Sequence, residues 1–155
     1  MSEFSCCYVS PFGNIKISVN AGVVTGVSFV DSLSQSSGVD RYPEIFRQFD
    51  EYFEGKRKVF DINFSFLTGT EFNKAVWREL QKIPYGKTVT YSDIAKSLGD
   101  KNLAIAVGNS CNKNPIAIIV PCHRVVPKNG SMSGGYAYGT DIKQKLLSLE
   151  REYCE

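Results

Sequence analysis

Histidine is almost absent from this chain. Of 155 residues only His123 is a histidine, and it adjoins a cysteine instead of standing at ligand spacing from one. Cys6 and Cys7 are themselves adjacent. No zinc-ligand spacing is present, so neither a metal site nor a cofactor is expected. Charge of one sign is also scarce. The net charge of +2 excludes a polybasic coat, so any nucleic-acid contact has to come from a local patch. No apolar run approaches the roughly 18 residues that a membrane span needs. The opening Met-Ser-Glu-Phe-Ser-Cys-Cys lacks a basic stretch followed by a long apolar one, so no signal peptide is expected. Five cysteines, an odd count, fit a reducing intracellular setting better than a disulfide framework. The expected location is cytoplasmic, or nuclear in a eukaryote.

What is present is ordinary for a soluble globular protein: 43% hydrophobic and 22% charged residues. The length suffices for one domain, or for two small ones. Cys7 to Val9, Asn14 to Val19 and Val23 to Val30 are rich in β-branched and aromatic residues. Pro11-Phe12-Gly13 and Asn20-Ala21-Gly22 separate them as turns, which predicts a meander. Residues 31–40 read as a polar loop. From Pro43 to Glu54, Ile45, Phe46, Phe49, Tyr52 and Phe53 recur at helical spacing, and Gly55 suits the stop. Their aromatic stripe reads as core. Asp61 to Leu67 is a strand or an extended linker, and the boundary between halves falls near residue 68.

Thr70 can cap a helix running to about Lys82. Thr90 with Asp93 forms a capping-box pattern for a second helix, ended by Gly99. Asn102 can cap a third, from Leu103 to about Cys111. Two short helices around a glycine-containing turn make a helix-turn-helix candidate. Asp141 to Tyr153 reads as a closing helix with Ile142, Leu146 and Leu149 inward. Between these lies the apolar run Ile116 to Val120, read as a short strand that Pro121 ends. Cys122-His123-Arg124 then sits just past a strand end, where rigid frames display reactive groups. A proton acceptor beside a cysteine makes thiolate available. Composition alone favours a small buried Cys122 and a surface His123 with no chemistry between them.

The surroundings of that pair are specific. Asn114-Pro115 and Pro121 to Val126 resemble the active-site signature of the O6-alkylguanine-DNA alkyltransferases, also called methylated-DNA–protein-cysteine methyltransferases. The resemblance continues through Phe72 to Trp77, Ile83 to Gly86, Thr90-Tyr91, Ile94-Ala95, Ala106 to Gly108, Ser133 to Gly135 and Leu146-Leu147 to Glu150. In the first third it is looser, carried by Ser10 to Gly13 and Tyr52 to Gly55. It implies an α+β or α/β fold: a small N-terminal antiparallel sheet with a helix, residues 1–67, packed as a scaffold on a mainly helical domain, residues 68–155. That second domain would hold the chemistry and the helix-turn-helix.

The resemblance also implies roles. Cys122 is the nucleophile, His123 the base acting through a water, Glu150 the carboxylate that orients it, and Asn114 the brace of the turn. Tyr91 donates to N3 of a flipped guanine, the backbone N–H of Ser133 faces O6, and the carbonyls of Cys122 and Val125 read the exocyclic amine. Arg124 stands with these substrate-side residues, although it reads more as a tie between the turn and its neighbours. Ala104, Ile105, Ala106, Gly108 and Ser110 line a helix entering the minor groove. Relatives usually carry arginine where this chain has Ile105, and an N-terminal zinc found in some relatives has no histidines here to bind it. The implied partner is double-stranded DNA carrying O6-alkylguanine, with O4-alkylthymine a second lesion. The protein would act as a monomer, once per molecule, after flipping the base. Two other readings stay open at this point. One is a lesion-binding relative without transfer; the other is a cysteine hydrolase.

Overall fold

Alternation of buried and exposed residues organises the first half of the chain. The computed structural model describes residues 3–31, 38–128 and 135–154. Strands β1 (Glu3–Ser10), β2 (Gly13–Asn20) and β3 (Val23–Val30) form an antiparallel meander in that order. Cys7 faces Lys16 and Ile15 faces Phe29. Ile15, Ile17 and Val19 are buried on one side of β2, as a period of two requires. Val24 and Val27, three residues apart in β3, are both buried. A register shift opposite Ser18/Val19 makes this possible, because an extra residue in a strand turns the following side chains over. Helix α1 (Pro43–Phe53) places Ile45, Phe46, Phe49 and Tyr52 in this core. The Tyr8 ring lies 5.6 Å from Phe46 and 5.5 Å from Phe49, and its hydroxyl donates to Asp50 at 2.8 Å. Buried Gln48 clips the chain after α1, accepting from the Asp61 N–H at 2.8 Å and donating to its carbonyl at 3.0 Å.

Two compact units result. The first is Met1–Leu67 with Pro115–Ala117, the second Thr68–Asn114 with Ile118–Glu155. The inserted Pro115–Ala117 segment pairs with β3: the Val27 N–H donates to the Pro115 carbonyl, and the Ala117 N–H donates to the Val27 carbonyl, both at 2.9 Å. This corrects the expected strand over Ile116 to Val120. Only Ile116 makes a bridge, parallel to Val27, and Ile118 turns the chain away at φ +71°. Ile116, Ala117, Ile118 and Val120 are all buried. An unbroken apolar run of that kind carries no period from which to tell strand from turn.

In the second unit, α2 (Glu71–Leu80) is capped by Thr70, whose hydroxyl accepts from the Asn73 N–H at 3.0 Å. Strand β4 (Val89–Thr90) leads directly into α3 (Tyr91–Ser97), where Thr90 and Asp93 form the expected capping box. A 3-10 turn (Lys101–Leu103) precedes α4 (Ala104–Asn112). The side chain that caps this turn is Asp100, accepting from the Asn102 N–H at 2.9 Å, and not Asn102 as expected. Asp100 sits two residues earlier, in the extended geometry that a cap requires, whereas Asn102 lies inside the turn. Trp77 is fully buried and donates from its indole to the Ser110 carbonyl at 2.8 Å, joining α2 to α4. A second 3-10 turn (Cys122–Arg124) runs into β5 (Val125–Val126), which pairs in parallel with β4. Helix α5 (Thr140–Glu152) closes the unit. Its fully buried face is Lys143, Leu146, Leu147 and Glu150, so the inward stripe is rotated from the expected Ile142, Leu146 and Leu149. Two charged side chains lie on the face that hydrophobicity alone assigns to water.

Candidate active site

Pairing of β5 with β4 brings the Cys122–Arg124 turn beside the start of α3, and α5 supplies side chains from two of its turns. Asn114, just past α4, is buried and divides its amide hydrogens. It donates to the Val120 carbonyl at 2.8 Å and to the Cys122 sulfur at 3.3 Å. It thus braces the turn and touches the sulfur as well. Cys122 is only 4% exposed. Burial pushes its thiol up to about 11, against the opposing pull of the Asn114 amide and the Lys143 ammonium. The resting group at neutral pH is therefore the thiol.

The two residues that follow Cys122 on the same turn, His123 and Arg124, belong to a buried acid–base cluster. The Glu150 carboxylate accepts from His123 Nε2 at 2.7 Å, from Arg124 Nε at 2.7 Å and Nη2 at 3.0 Å, and from the Gly86 N–H at 3.4 Å. Burial works against ionisation of Glu150, but His123 and Arg124 outweigh it and hold the carboxyl well below the ordinary range. Burial pushes the His123 imidazole down more strongly than Glu150 raises it. His123 is accordingly neutral at pH 7, with its proton on the nitrogen that faces the carboxylate. The other nitrogen, Nδ1, is buried and has no hydrogen-bond partner among the described residues. It offers a lone pair, which is what a proton acceptor needs.

Arg124 makes the ties between the turn and its neighbours that the sequence reading preferred, and its placement with the substrate-side residues is corrected. It is buried, doubly bonded to Glu150, donates to the Ile83 carbonyl at 2.8 Å and stacks over the Tyr85 ring at 5.7 Å. Its donors are directed into the protein. Ser110, expected on the DNA-facing side, is also buried, and its hydroxyl donates to Asn73 at 2.7 Å. The i, i+4 spacing from Ala106 does not separate a groove-facing residue from one that faces α2. Ala104, Ala106 and Gly108 are half-buried, and Ile105 stands 82% exposed. Ser133 lies outside the described residues.

Tyr91, Ala104, Ile105, Gly108 and Gly135 line a groove of about 470 Å³ among the described residues. Cys122 is not among the residues that line this groove. The Tyr91 hydroxyl donates to the Gly135 carbonyl at 3.3 Å. Burial pushes the Tyr91 phenol up to about 12, so it keeps its proton and remains a donor. Val125 is buried, and its carbonyl accepts from Lys143 Nζ at 2.7 Å. A carbonyl has two lone pairs, so one remains for a ligand. Lys143 itself was missed in the sequence. The signal was its spacing: Lys143 precedes Glu150 by seven residues, two helical turns, and shares its face with Leu146 and Leu147.

Comparison with known proteins agrees over both units. Residues 71–152 match the family described as 6-O-methylguanine DNA methyltransferase, DNA binding domain, and residues 6–66 match its ribonuclease-like domain. A methylated-DNA–protein-cysteine methyltransferase of Methanosarcina acetivorans is 42% identical over 153 residues, covering 92% of this chain and 95% of that one. One from Mycolicibacterium paratuberculosis is 42% identical over 150 residues, covering 93% and 90%. The crystal structure of the Mycobacterium tuberculosis OGT in complex with DNA superposes with a TM-score of 0.84 at 34% identity, over 95% of this chain and 92% of that one.

Proposed function

This chain belongs to the 6-O-methylguanine DNA methyltransferase family, and from that premise we propose that Cys122 takes the alkyl group from O6 of guanine in duplex DNA. It is a methylated-DNA–protein-cysteine methyltransferase. The observation that carries the reading is made at successive residues of one turn: Asn114 bonds the Cys122 sulfur, and the next residue, His123, is neutral, oriented by Glu150 and has a lone pair to spare. The sulfur attacks the alkyl carbon in line. A carbon–sulfur bond forms, the carbon–oxygen bond breaks, and its electron pair leaves on guanine O6. The thiol proton passes to His123 Nδ1, through a water where the two do not touch. Glu150 balances the imidazolium that forms. Tyr91 donates to N3 as the base departs and regains a proton from solvent, and His123 gives its proton up to solvent, so the net change moves one proton from sulfur to guanine.

Burial holds the Cys122 thiol protonated in the free protein, so the thiolate has to form as the base acts. A buried thiol that deprotonates only as the base acts is protected from casual oxidation. Reaching a stacked O6 requires flipping the nucleotide into the groove that Tyr91 floors, at a cost of about a few kcal/mol. The thioether product is stable and no described group is poised to remove it, so each molecule acts once. The test is to incubate the protein with excess O6-methylguanine duplex and weigh it intact. The expected mass gain is one methyl per molecule, mapped to the Cys122 peptide, with no further lesion consumed. Continued turnover would point to a hydrolase; unchanged mass with tight binding, to a lesion sensor.

Ile105 projects from α4 beside that groove. An apolar wedge unstacks a base step but cannot hydrogen-bond the orphaned partner base. Ile105→Arg is therefore expected to tighten lesion-duplex binding and to speed repair, by several-fold each. Titration of labelled duplex and single-turnover rates measure both, and no change in either would remove Ile105 from the flipping step.

A further inference from the structure

Helix α4 carries no charged side chain from Ala104 to Asn112, although it lines the groove assigned to DNA. What it displays there is a stripe. Ile105, Asn109 and Asn112 follow one another at i, i+4 and i+7, and all three are exposed and line the groove. The wedge reading absorbs Ile105 and leaves the two amides without a task. Neither makes a hydrogen bond among the described residues. Ala104 and Gly108, on the same wall, add little bulk and let the helix approach closely. A helix of small residues with one apolar wedge suits the minor groove, where such wedges enter between base steps. There a G·C pair differs from an A·T pair by one group, the exocyclic N2 amine of guanine, which is a donor. An asparagine amide carries both a donor and an acceptor. It can accept from N2 and donate to N3 of one guanine, and it finds only an acceptor on adenine.

We infer that Asn109 reads the minor-groove edge of a guanine close to the lesion, so that the protein prefers a lesion with a G·C neighbour. The inference rests on the proposed reading, with α4 as the helix that meets the DNA during transfer to Cys122. Four residues of helix advance about 6 Å, and one base step is about 3.4 Å. Asn109 therefore stands at most about two steps from the place where Ile105 enters the stack. Asn112 lies about 10 Å along the helix from Ile105, beyond that range. A cation such as Lys128, the one charged side chain among the lining residues, attracts any sequence alike. The Asn109 amide is neutral. Its contact releases no counter-ion, so it adds sequence preference and leaves the salt dependence of binding as it is.

Equilibrium titration of lesion duplexes in the Cys122→Ala background, where no transfer follows binding, tests this from the DNA side. Guanines within two base pairs of an O6-methylguanine are replaced one at a time by inosine, which lacks the N2 amine. One such replacement should weaken binding about tenfold. Asn109→Ala should weaken binding to the guanine duplex by about the same factor, and that inosine should then cost nothing further. Inosine also loosens its own base pair, and comparing the two proteins cancels that effect. The slope of log K against log salt should be the same for both proteins, and 7-deazaguanine, altered only on its major-groove edge, should bind like guanine. Equal inosine effects with and without the Asn109 amide overturn the inference. So does coupling to Asn112 in its place, a response to 7-deazaguanine, or a change in salt slope. Insensitivity to inosine at every position overturns it even where the Asn109 variant does not fold. Methyl transfer by the parent protein with no inosine effect counts against Asn109 alone. An inosine effect with no methyl transfer counts against the assignment of Cys122 and leaves the reading of the guanine edge standing.

Discussion

Cys122→Ala is expected to lose alkyl transfer completely, with no mass gain after prolonged incubation with lesion duplex, while binding that duplex within about threefold of wild type. The effect is all-or-none because no other described cysteine can substitute. Cys6 and Cys7 are buried in the first unit. Cys111 is buried, and burial pushes its thiol still higher than that of Cys122. Cys154 is exposed at the end of the chain, next to Arg151, without a base beside it. Cys122→Ser should be equally inactive, since a hydroxyl in the same buried place is far harder to ionise than a thiol. The cost to stability should be small. Alanine frees one hydrogen of the Asn114 amide while the other stays on the Val120 carbonyl, a loss of about 1 kcal/mol. Urea unfolding, gel-shift titration and intact mass on one preparation separate these effects. Methyl appearing on Cys111 in the alanine variant would show that the pocket, and not this sulfur, selects the acceptor.

Much of the frame was legible from local chemistry. The meander follows from β-branched runs punctuated by Pro11-Phe12-Gly13 and Asn20-Ala21-Gly22, and the second turn does carry Ala21 and Gly22 at positive φ. Helices α2 and α3 start where Thr70 and Thr90 offer hydroxyls to orphaned N–H groups. Such signals act over three or four residues, so a single sequence displays them. What stayed hidden depends on partners far along the chain. Strands β4 and β5 have two residues each, too short to show a period, and are strands only because Val89 meets Val125. Pro115–Ala117 joins the first unit through β3, ninety residues earlier in places.

The site divides along the same line. Cys122, His123, Asn114 and Glu150 were marked by a motif and by resemblance, and the structure brings Asn114 to the sulfur and Glu150 to the imidazole. Lys143 and Ser110 were missed or misread for one reason. Each is polar, and a polar residue is assigned to the surface unless its partner is known. Burial of an arginine becomes reasonable only once Glu150, twenty-six residues on, is seen to meet it through two oxygens. The stripe of α5 turns by about one residue for the same cause.

Glu150→Ala should have the second-largest effect, and on two quantities at once. The carboxylate neutralises Arg124 and orients His123. Removing it leaves a buried guanidinium uncompensated, so stability at pH 7 should fall by about 3–5 kcal/mol. Glu150→Gln keeps the volume and part of the hydrogen bonding, and should fold better while transferring slowly. Without the anion, the imidazolium that must form is unbalanced, and the nitrogen that keeps its proton is no longer dictated. A loss on the order of 10²-fold or more in transfer rate is expected for the glutamine variant. The pH dependence identifies the cause. Burial resists ionisation of Glu150, but its partners hold the folded carboxyl below the unfolded value. The unfolded chain therefore binds more protons there, and stability present above about pH 4.3 is lost as pH falls toward the folded value. His123, pushed down by burial, acts in the same direction: the unfolded imidazole takes a proton near pH 6.5 that the folded one refuses. Wild-type stability should thus begin to fall below pH 6.5 and fall more steeply below pH 4.3. In Glu150→Gln the steeper limb should shrink to the part that Glu44, Glu51 and Asp93 supply, which their own partners also hold below the ordinary range, and the first should remain. Urea midpoints between pH 7 and pH 3 measure this directly. A glutamine variant with an acid limb as steep as the wild type's, or with methyl transfer at the wild-type rate, would place the working anion somewhere other than Glu150.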